Sequence, residues 1–432
     1  MKILFIVPYT PNLIRVRAYQ LLASLVQRQH QVTLATLWTT EEERADLLKL
    51  VQAGIRVVAH GAPVWRSLVN VVAALPTRTP LQAVYSWQPA LAQSIHRLLQ
   101  TEPFDVVHVE HLRGARYGLY VQSLQRTAKA PIPVVWDSVD CISHLFQQAA
   151  QASRSRKGRL LTQLDLKRTQ RYEGRLVHQF DAVMVTSPTD QRALMALAQA
   201  AVASAASNPS QPAPMSSSSY AHLHVLPNGV DLAYFTPNGK GRAPATVVFS
   251  GKMSYHANVT GALHLVNDIM PQVWAQRADV KVCITGKDPA PAVQALATQH
   301  TATGYADRVQ ITGTVADLRP YLQQATVAAA PIPYGAGIQN KVLEAMACAA
   351  PVVASPQASS ALQTQAGRDL LVADNAAGFA ANLLQLLDQP AERSALGQAG
   401  RAYVEQFHSW DAVAAQLETI YATVIQKKRQ AQ

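Results

Sequence analysis

Three cysteines are all that this chain of 432 residues contains, and Cys141, Cys283 and Cys348 stand far apart with no CxxC spacing. A disulfide framework and a cysteine-ligated zinc site are excluded, and a reducing cytoplasm is the expected compartment. Long apolar runs are missing as well. No stretch approaches the roughly 18 apolar residues that read as a membrane span. The N-terminal "MKILFIVPYT" breaks at Pro8, too early for the apolar core of a signal peptide, and suits a buried strand. The chain is therefore expected to be soluble or peripheral to a membrane. Charge is scarce, at 15 per cent of residues, and acids are the scarcer sign: 27 Asp and Glu against 38 Lys and Arg leave a formal charge of +11. A positive balance of that size points to partners carrying phosphate, whether nucleotide, anionic lipid or nucleic acid. Nucleic acid is set aside because no groove-reading motif or interleaved aromatic accompanies the charge. No Asp-x-Asp pair stands at a strand end, so no metal site is expected.

What is present is apolar material, 49 per cent of the chain, enough for packed cores in two domains of about 200 residues each. Strand-like and helix-like segments alternate. "KILFIV", "QVTLATL", "IRVVAH", "FDVVHVEH" and "PIPVVWD" read as strands, separated by helical stretches such as "RVRAYQLLASLVQRQ". Helices between strands mean parallel crossovers, hence an α/β doubly wound sheet whose ligands bind beyond the C-terminal strand ends. Tyr9 to Arg17, Glu110, His111 and Asp137 to Asp140 are placed at those ends. The tract "AQAAVASAASNPSQPAPMSSSSYAH" reads as a flexible insertion. Past "PNGVD" the alternation restarts with "ATVVFSG", "DVKVCITG", "RVQITGT", "ATVAAAPI" and "APVVAS", a second doubly wound domain. The basic run from Arg154 to Arg175 is helical in pattern and reads either as a solvated face or as a patch for an anionic membrane.

The richest stretch is "PIPYGAGIQNKVLEAMACAAPVVAS", Pro331 to Ser355. Gly335 and Gly337 let the backbone turn sharply after a strand, and a helix is expected to begin near Ile338 or Gln339. Free amides and the helix dipole there make an anion site, to which Lys341 adds a charge. Glu344 would repel phosphate but can accept two hydrogen bonds from a vicinal diol, which a ribose presents. Phosphate and ribose together mean a nucleotide. Three further strand-end turns support this: Gly251 with Lys252, Gly286 with Lys287, and Thr314 with Val315.

In combination, "PNGVD", "SGKM", "ITGTVADLRPYLQQA", "GAGIQNKVLEAMACAAPVVAS" and "SWDAVAAQLETIY" resemble retaining glycosyltransferases of the GT-B fold, glycosyltransferase family 4. The form is similar to the subgroup associated with bacterial exopolysaccharide synthesis. The resemblance implies two Rossmann-like domains facing a deep cleft. Residues 1–228 would form the acceptor-side domain, with an insertion near 200–220 and a C-terminal helix over 409–428 packing back on it. Residues 229–408 would bind the donor, a UDP- or GDP-sugar, with no separate cofactor. By the same resemblance Glu344 matches the ribose-binding glutamate, and Gly337 and Ile338 match the turn holding the diphosphate, flanked by Gln339 and Asn340. Lys252 sits where an arginine often contacts the diphosphate; Gly286, Lys287, Thr314 and Val315 match loops around the nucleobase. The chain departs from the family at Ala336, where a first glutamate is usual, and at Ala257 and Asn258, where a lysine is usual. "PNLIRVR" replaces paired glycines, and "WDSVD" stands where many members carry a histidine.

The implied reaction moves the sugar to a hydroxyl of a glycan, a lipid-linked or a small-molecule acceptor, with configuration retained. Lys252 and Lys341 would stabilise charge on the departing diphosphate. Asp137, Glu110 and His111 are the acceptor-side candidates, and Arg17 a candidate phosphate clamp. Two other functions fit the same motifs: a nucleotide-sugar epimerase, and a non-catalytic nucleotide-sugar binder.

Overall fold

Short apolar runs bounded by polar turns set the strands, and their parallel pairing sets everything else. The computed structural model describes residues 1–12, 15–128, 130–152, 156–205, 220–299, 306–334 and 338–430. They form two compact units, Met1–Pro227 with Val413–Gln432, and Asn228–Ala412.

The first unit is built on β1 (Lys2–Val7), β2 (Gln31–Trp38), β3 (Arg56–Gly61), β4 (Val106–Glu110), β5 (Val134–Val139), β6 (Ala182–Val185) and β7 (Leu223–Val225), in the spatial order β3-β2-β1-β4-β5-β6-β7. Every pairing is parallel. The chain turns back between β1 and β4, so the crevice outside their C-terminal ends is the switch point where a doubly wound sheet takes ligands. Buried strands of this kind carry side chains into a core on both faces, and Leu4, Ile6, Val107, Val109 and Trp136 lie in one continuous cluster. The register places Glu110 beside Asp137, so two carboxylates share one strand end. The C-terminal helix Trp410–Gln430 is tied into this unit through Glu418, which takes two 2.8 Å bonds from Arg28 and meets His30 at 2.5 Å. Tyr421 on the same helix meets the buried His108 at 2.7 Å.

The second unit repeats the plan with β8 (Thr246–Ser250), β9 (Lys281–Thr285), β10 (Val309–Gly313), β11 (Val327–Ala330), β12 (Val352–Ala354) and β13 (Leu371–Val372), in the order β10-β9-β8-β11-β12-β13. Its own core gathers Phe249, Trp274, Met346 and Phe379. Here the switch point falls between β8 and β11. The architecture is the pair of parallel α/β sheets expected from the alternation of segments.

Three strands escaped that reading. β6, β7 and β13 have four, three and two residues, too short to show a period. The helix Val64–Ala74 was also missed. The alanine-rich tract begins as structure: residues 200–205 complete the helix Pro188–Ala205, as a run of the best helix former should. Tyr220 at its far end is buried, with its ring 5.9 Å from that of His178. Residues 206–219 of the expected insertion lie outside the described residues.

The turns after β8 and β9 touch through backbone alone. Gly286 has φ +142°, and a Cβ built on it would stand 1.8 Å from the Gly251 carbonyl oxygen. No rotamer change relieves a clash with backbone. Gly286→Ala is therefore expected to cost about 3 kcal/mol or more in chemical denaturation. Gly367→Ala, at φ +84° with nothing within 4 Å, is expected to lose only about 1 kcal/mol of backbone strain. Equal losses at the two positions would show that the close approach carries no special weight.

Candidate functional site

In the second unit, the four turns singled out in the sequence lie at the C-terminal ends of β8, β9, β10 and β11. Backbone hydrogen bonds lace the first three together. Gly251 N–H donates to the Thr285 carbonyl at 3.0 Å, Met253 N–H to Lys287 at 2.8 Å and Gly286 N–H to Gly313 at 3.1 Å. Lys252, Lys287 and Thr314 are exposed at this rim, and Val315 is half-buried.

The turn after β11 leads into the helix Asn340–Ala347, with Gln339 at its N-cap. The helix thus begins one to two residues later than expected. Ile338 is buried, while Gln339 and Asn340 are half-buried beside the free amides of the first turn. Gly337, with Gly335 and Ala336, lies outside the described residues. The base of the turn is held by Tyr334. Its ring stacks on His256 with centroids 5.3 Å apart and planes 12° apart, and its hydroxyl lies 3.1 Å from His256 Nδ1 and 3.2 Å from Thr260 Oγ1. These partners come from the helix following β8, and no local pattern in the sequence announces them. Ser355 Oγ donates to the Ile332 carbonyl at 2.6 Å and holds the other side.

Lys341 crosses beneath Gly251. A Cβ on Gly251 would stand 3.2 Å from Lys341 Cε and 2.8 Å from Asn258 Nδ2, so the missing side chain makes the lysine's passage. Lys341 Nζ donates to Gln339 Oε1 at 2.9 Å. Burial pulls the Lys341 ammonium down to about 8, with the Glu344 charge opposing. Burial pushes the Glu344 carboxyl up to about 7, with Lys341 opposing. No donor among the described residues reaches the Glu344 carboxylate. Asn258 Nδ2 donates to the Lys252 carbonyl at 2.9 Å, while its buried Oδ1 has no hydrogen-bond partner among the described residues. Two partly buried groups of opposite charge, beside a helix N-terminus that the Gln339 side chain does not cap, suit an anion joined to a diol.

The first unit disposes of its candidates differently. Arg17 is only 5 % exposed. Its Nε donates to Asp137 at 2.9 Å, and its remaining nitrogens reach the Asp137 carboxylate at 2.8 Å and the Leu226 and Pro227 carbonyls at 3.1 Å. The expectation that Arg17 clamps phosphate, and that Asp137 serves an acceptor, is corrected here. A buried guanidinium has to be met by a carboxylate and carbonyls, and these two groups satisfy one another inside the unit. Glu110 accepts from Tyr9 Oη at 2.5 Å while its other oxygen, Oε2, is buried without a partner among the described residues. Burial, with the neighbouring Asp137 charge, pushes its carboxyl up to about 7. His111, at the same strand end, has φ +66° and is held neutral, its imidazole pulled down to about 3 by burial and by Arg113. Asp140 is also pushed up to about 7, by burial and then by Asp190. Glu110 and His111 therefore remain at the switch point of this sheet, while Arg17 and Asp137 are structural.

Comparison with known proteins bears on both units. A glycosyl transferase 4-like domain model matches residues 14–203, and a model described as glycosyl transferases group 1 matches residues 244–389. The D-inositol 3-phosphate glycosyltransferase of Arthrobacter sp. is 25% identical over 376 residues, covering 83% of this chain and 80% of that protein. The MMP alpha-(1->4)-mannosyltransferase of Mycolicibacterium hassiacum is 29% identical over 215 residues, 47% of this chain, which spans about half of that relative's length (49%). Among solved structures, sucrose-phosphate synthase from Thermosynechococcus elongatus superposes with a TM-score of 0.62 at 17% identity, covering 99% of each chain. Anabaena Alr3699/HepE, in complex with UDP and glucose, gives 0.62 at 14% identity over 98% of this chain and 100% of that one. At such identities the likeness establishes the fold.

Two outcomes test the electrostatics. Arg17→Met strands a buried carboxylate and is expected to cost about 3–5 kcal/mol of stability. Pairing it with Asp137→Leu should restore most of that loss; a double variant no more stable than the single one would show that the ion pair is not what Arg17 supplies. The folded-state pKa of Glu344 lies above its unfolded value, so its contribution is intact below about 4.5 and is lost as pH rises through about 7. Glu344→Gln should match the wild type near the lower limit and exceed it above neutrality by about 1–3 kcal/mol. Parallel stability curves for the two proteins would remove the buried-carboxyl assignment.

Proposed function

The chain belongs to the GT-B glycosyltransferases with a 4-like domain followed by a group 1 domain, and on that premise we propose that it transfers a sugar from a nucleotide diphosphate sugar to an acceptor hydroxyl, retaining the anomeric configuration. One observation carries the proposal: Lys341 and Glu344, both partly buried, stand in the opening turns of the helix at the β8–β11 switch point. A nucleotide diphosphate presents what they lack. Its ribose diol donates two hydrogen bonds to Glu344, and its phosphates take Lys341 Nζ and the amides of Ile338 to Asn340. Each partner favours the charged form of the group it meets.

Breakage of the C1–O bond leaves negative charge on the diphosphate. Donors already fixed by the fold stabilise that charge without reorganising, which is the largest single contribution in most such sites. Lys252 and Lys287, exposed on neighbouring turns, would close on the phosphates and the base. On this reading the departing phosphate itself helps to take the acceptor proton, and Glu110 and His111 line the acceptor side. The Anabaena structure contains UDP, which makes UDP-sugars the first donors to test. A polysaccharide or glycoconjugate pathway, with a glycan, lipid-linked or small-molecule acceptor, completes the proposal.

Calorimetry with UDP is the direct test. Glu344→Ala removes the acceptor of two ribose hydroxyls, each charged hydrogen bond being worth roughly 1.5–3 kcal/mol, so affinity should fall about tenfold or more with the circular dichroism spectrum unchanged. Unaltered affinity for both UDP and GDP would end the ribose assignment. Turnover across a panel of nucleotide sugars then separates three functions: transfer to an acceptor supports the proposal. Isomerisation of the donor would establish an epimerase instead, and binding with no reaction a non-catalytic partner.

A further inference from the structure

A surface helix ordinarily turns its large apolar side chains to the core. The helix Val64–Ala74 does the reverse. Its buried residues are Ser67 and Ala74, and Asn70 donates from Nδ2 to the Trp87 carbonyl at 2.8 Å. Val64, Trp65, Leu68, Val69, Val72 and Leu75 are instead each 50–68 % exposed. The positions 64, 68, 72 and 75 follow one line down the helix, with 65 and 69 beside it. Of the thirteen large apolar side chains exposed among the described residues, six fall in this one segment. Isolated exposed leucines need no explanation, but a contiguous patch marks a surface that meets something.

The charge around the patch selects what it meets. From residue 55 to residue 101 the chain has no Asp or Glu, while Arg66, Arg78 and Arg97 lie within that stretch; Arg56 is paired with Glu102. Arg66 stands over the Trp65 ring, 6.0 Å from its centroid. Just past the helix, Arg78 joins Arg171 and Arg175 in lining a groove of about 540 Å³. Arg171 and Arg175 belong to the helix Arg156–Leu176, whose Arg168 donates to the Leu75 carbonyl at 2.8 Å and so docks the end of the apolar helix against the arginines. The acids of that second helix do not offset them. Asp165 accepts from the Leu81 amide at 3.1 Å, and Glu173 is buried, accepting from the Ile142 and Ser143 amides at 2.8 and 3.0 Å.

A second copy of the chain is a poor occupant, because a two-fold interface would bring the same arginines face to face. A surface that is apolar in depth and negative at its rim satisfies both features. The geometry points to an anionic lipid bilayer: the Val64–Ala74 helix lies in the membrane interface with Trp65, Leu68 and Val72 among the acyl chains, and the groove of Arg78, Arg171 and Arg175 receives lipid phosphates. Aromatic and aliphatic side chains opposite a basic rim are what such a helix requires. The basic run noticed in the sequence contributes its C-terminal half. Its first residues, Arg154 and Ser155, lie outside the described residues.

This inference stands apart from the transferase reading, and so does its test. The full chain is sedimented with vesicles of phosphatidylcholine alone and with vesicles of equal phosphatidylcholine and phosphatidylglycerol. Binding is expected to the mixed vesicles, about tenfold or more weaker to the neutral ones, and to fall with added salt. Leu68→Glu with Val72→Glu, and separately Arg171→Glu with Arg175→Glu, should each weaken binding about tenfold or more. UDP affinity in solution, measured on the same variants, should not change. Should the first pair misfold, bromolipid quenching still decides: it should dim the wild type and spare much of that loss in Trp65→Phe. Three outcomes would overturn the proposal. They are no binding to anionic vesicles, equal binding to both compositions, or light scattering that finds a dimer which Leu68→Glu splits.

Discussion

The Gly251 carbonyl oxygen stands where any side chain on residue 286 would have to be. That contact lets the turns after β8 and β9 close on each other, and the hydrogen bonds from Gly251, Met253 and Gly286 then register three strand ends as one surface. The bare Gly251 leaves the passage that Lys341 fills. Two missing side chains thus determine where a cation can stand. The switch in strand order between β8 and β11 determines that it stands beside the start of a helix, where amides are already free.

The two units make opposite use of the same kind of material. Arg17 and Asp137 are buried and satisfy one another, with the Leu226 and Pro227 carbonyls taking the remaining donors. Lys341 and Glu344 are half-buried and have few protein partners among the described residues; burial pulls the lysine down to about 8 and pushes the glutamate up to about 7. A pair closed on itself stabilises a fold, whereas a pair left open is poised for a ligand that supplies the missing contacts. Tyr334 shows how the open arrangement is kept in place. It ties the turn after β11 to the helix after β8 with a ring stack and two hydroxyl contacts.

The helix Val64–Ala74 is held by its polar and small residues and leaves its large apolar ones to solvent. Burial of those side chains against the unit would have been the ordinary course, at about 1.5–3 kcal/mol for each large residue. None of them belongs to the core cluster of the first unit, which draws on its strands and the helices beside them. The exposed face and its arginines are therefore a property of the surface and can change without disturbing the sheet.

Much of this protein was legible in its sequence. The strand and helix alternation established two parallel sheets, because a buried strand and an amphipathic helix each impose a period that local composition carries. The place of the glycine turns at strand ends, and of Lys341 and Glu344 on the helix after β11, was legible for a similar reason, since a strand, a turn and a helix start each show within a few consecutive residues. Tertiary structure decided what no local pattern records. β6, β7 and β13 exist because an edge was available to pair with, and the alanine tract continues as helix because its last residues extend a helix already begun. Arg17 lies 120 residues from Asp137 and more than 200 from the carbonyls it meets, so only the folded chain shows that it is spent. The helical period of residues 64–75 likewise says that one face is apolar, but which way that face points depends on neighbours brought in from far along the chain. Periodicity is a property of neighbours in sequence, while the use of a charge or a face is set by neighbours in space.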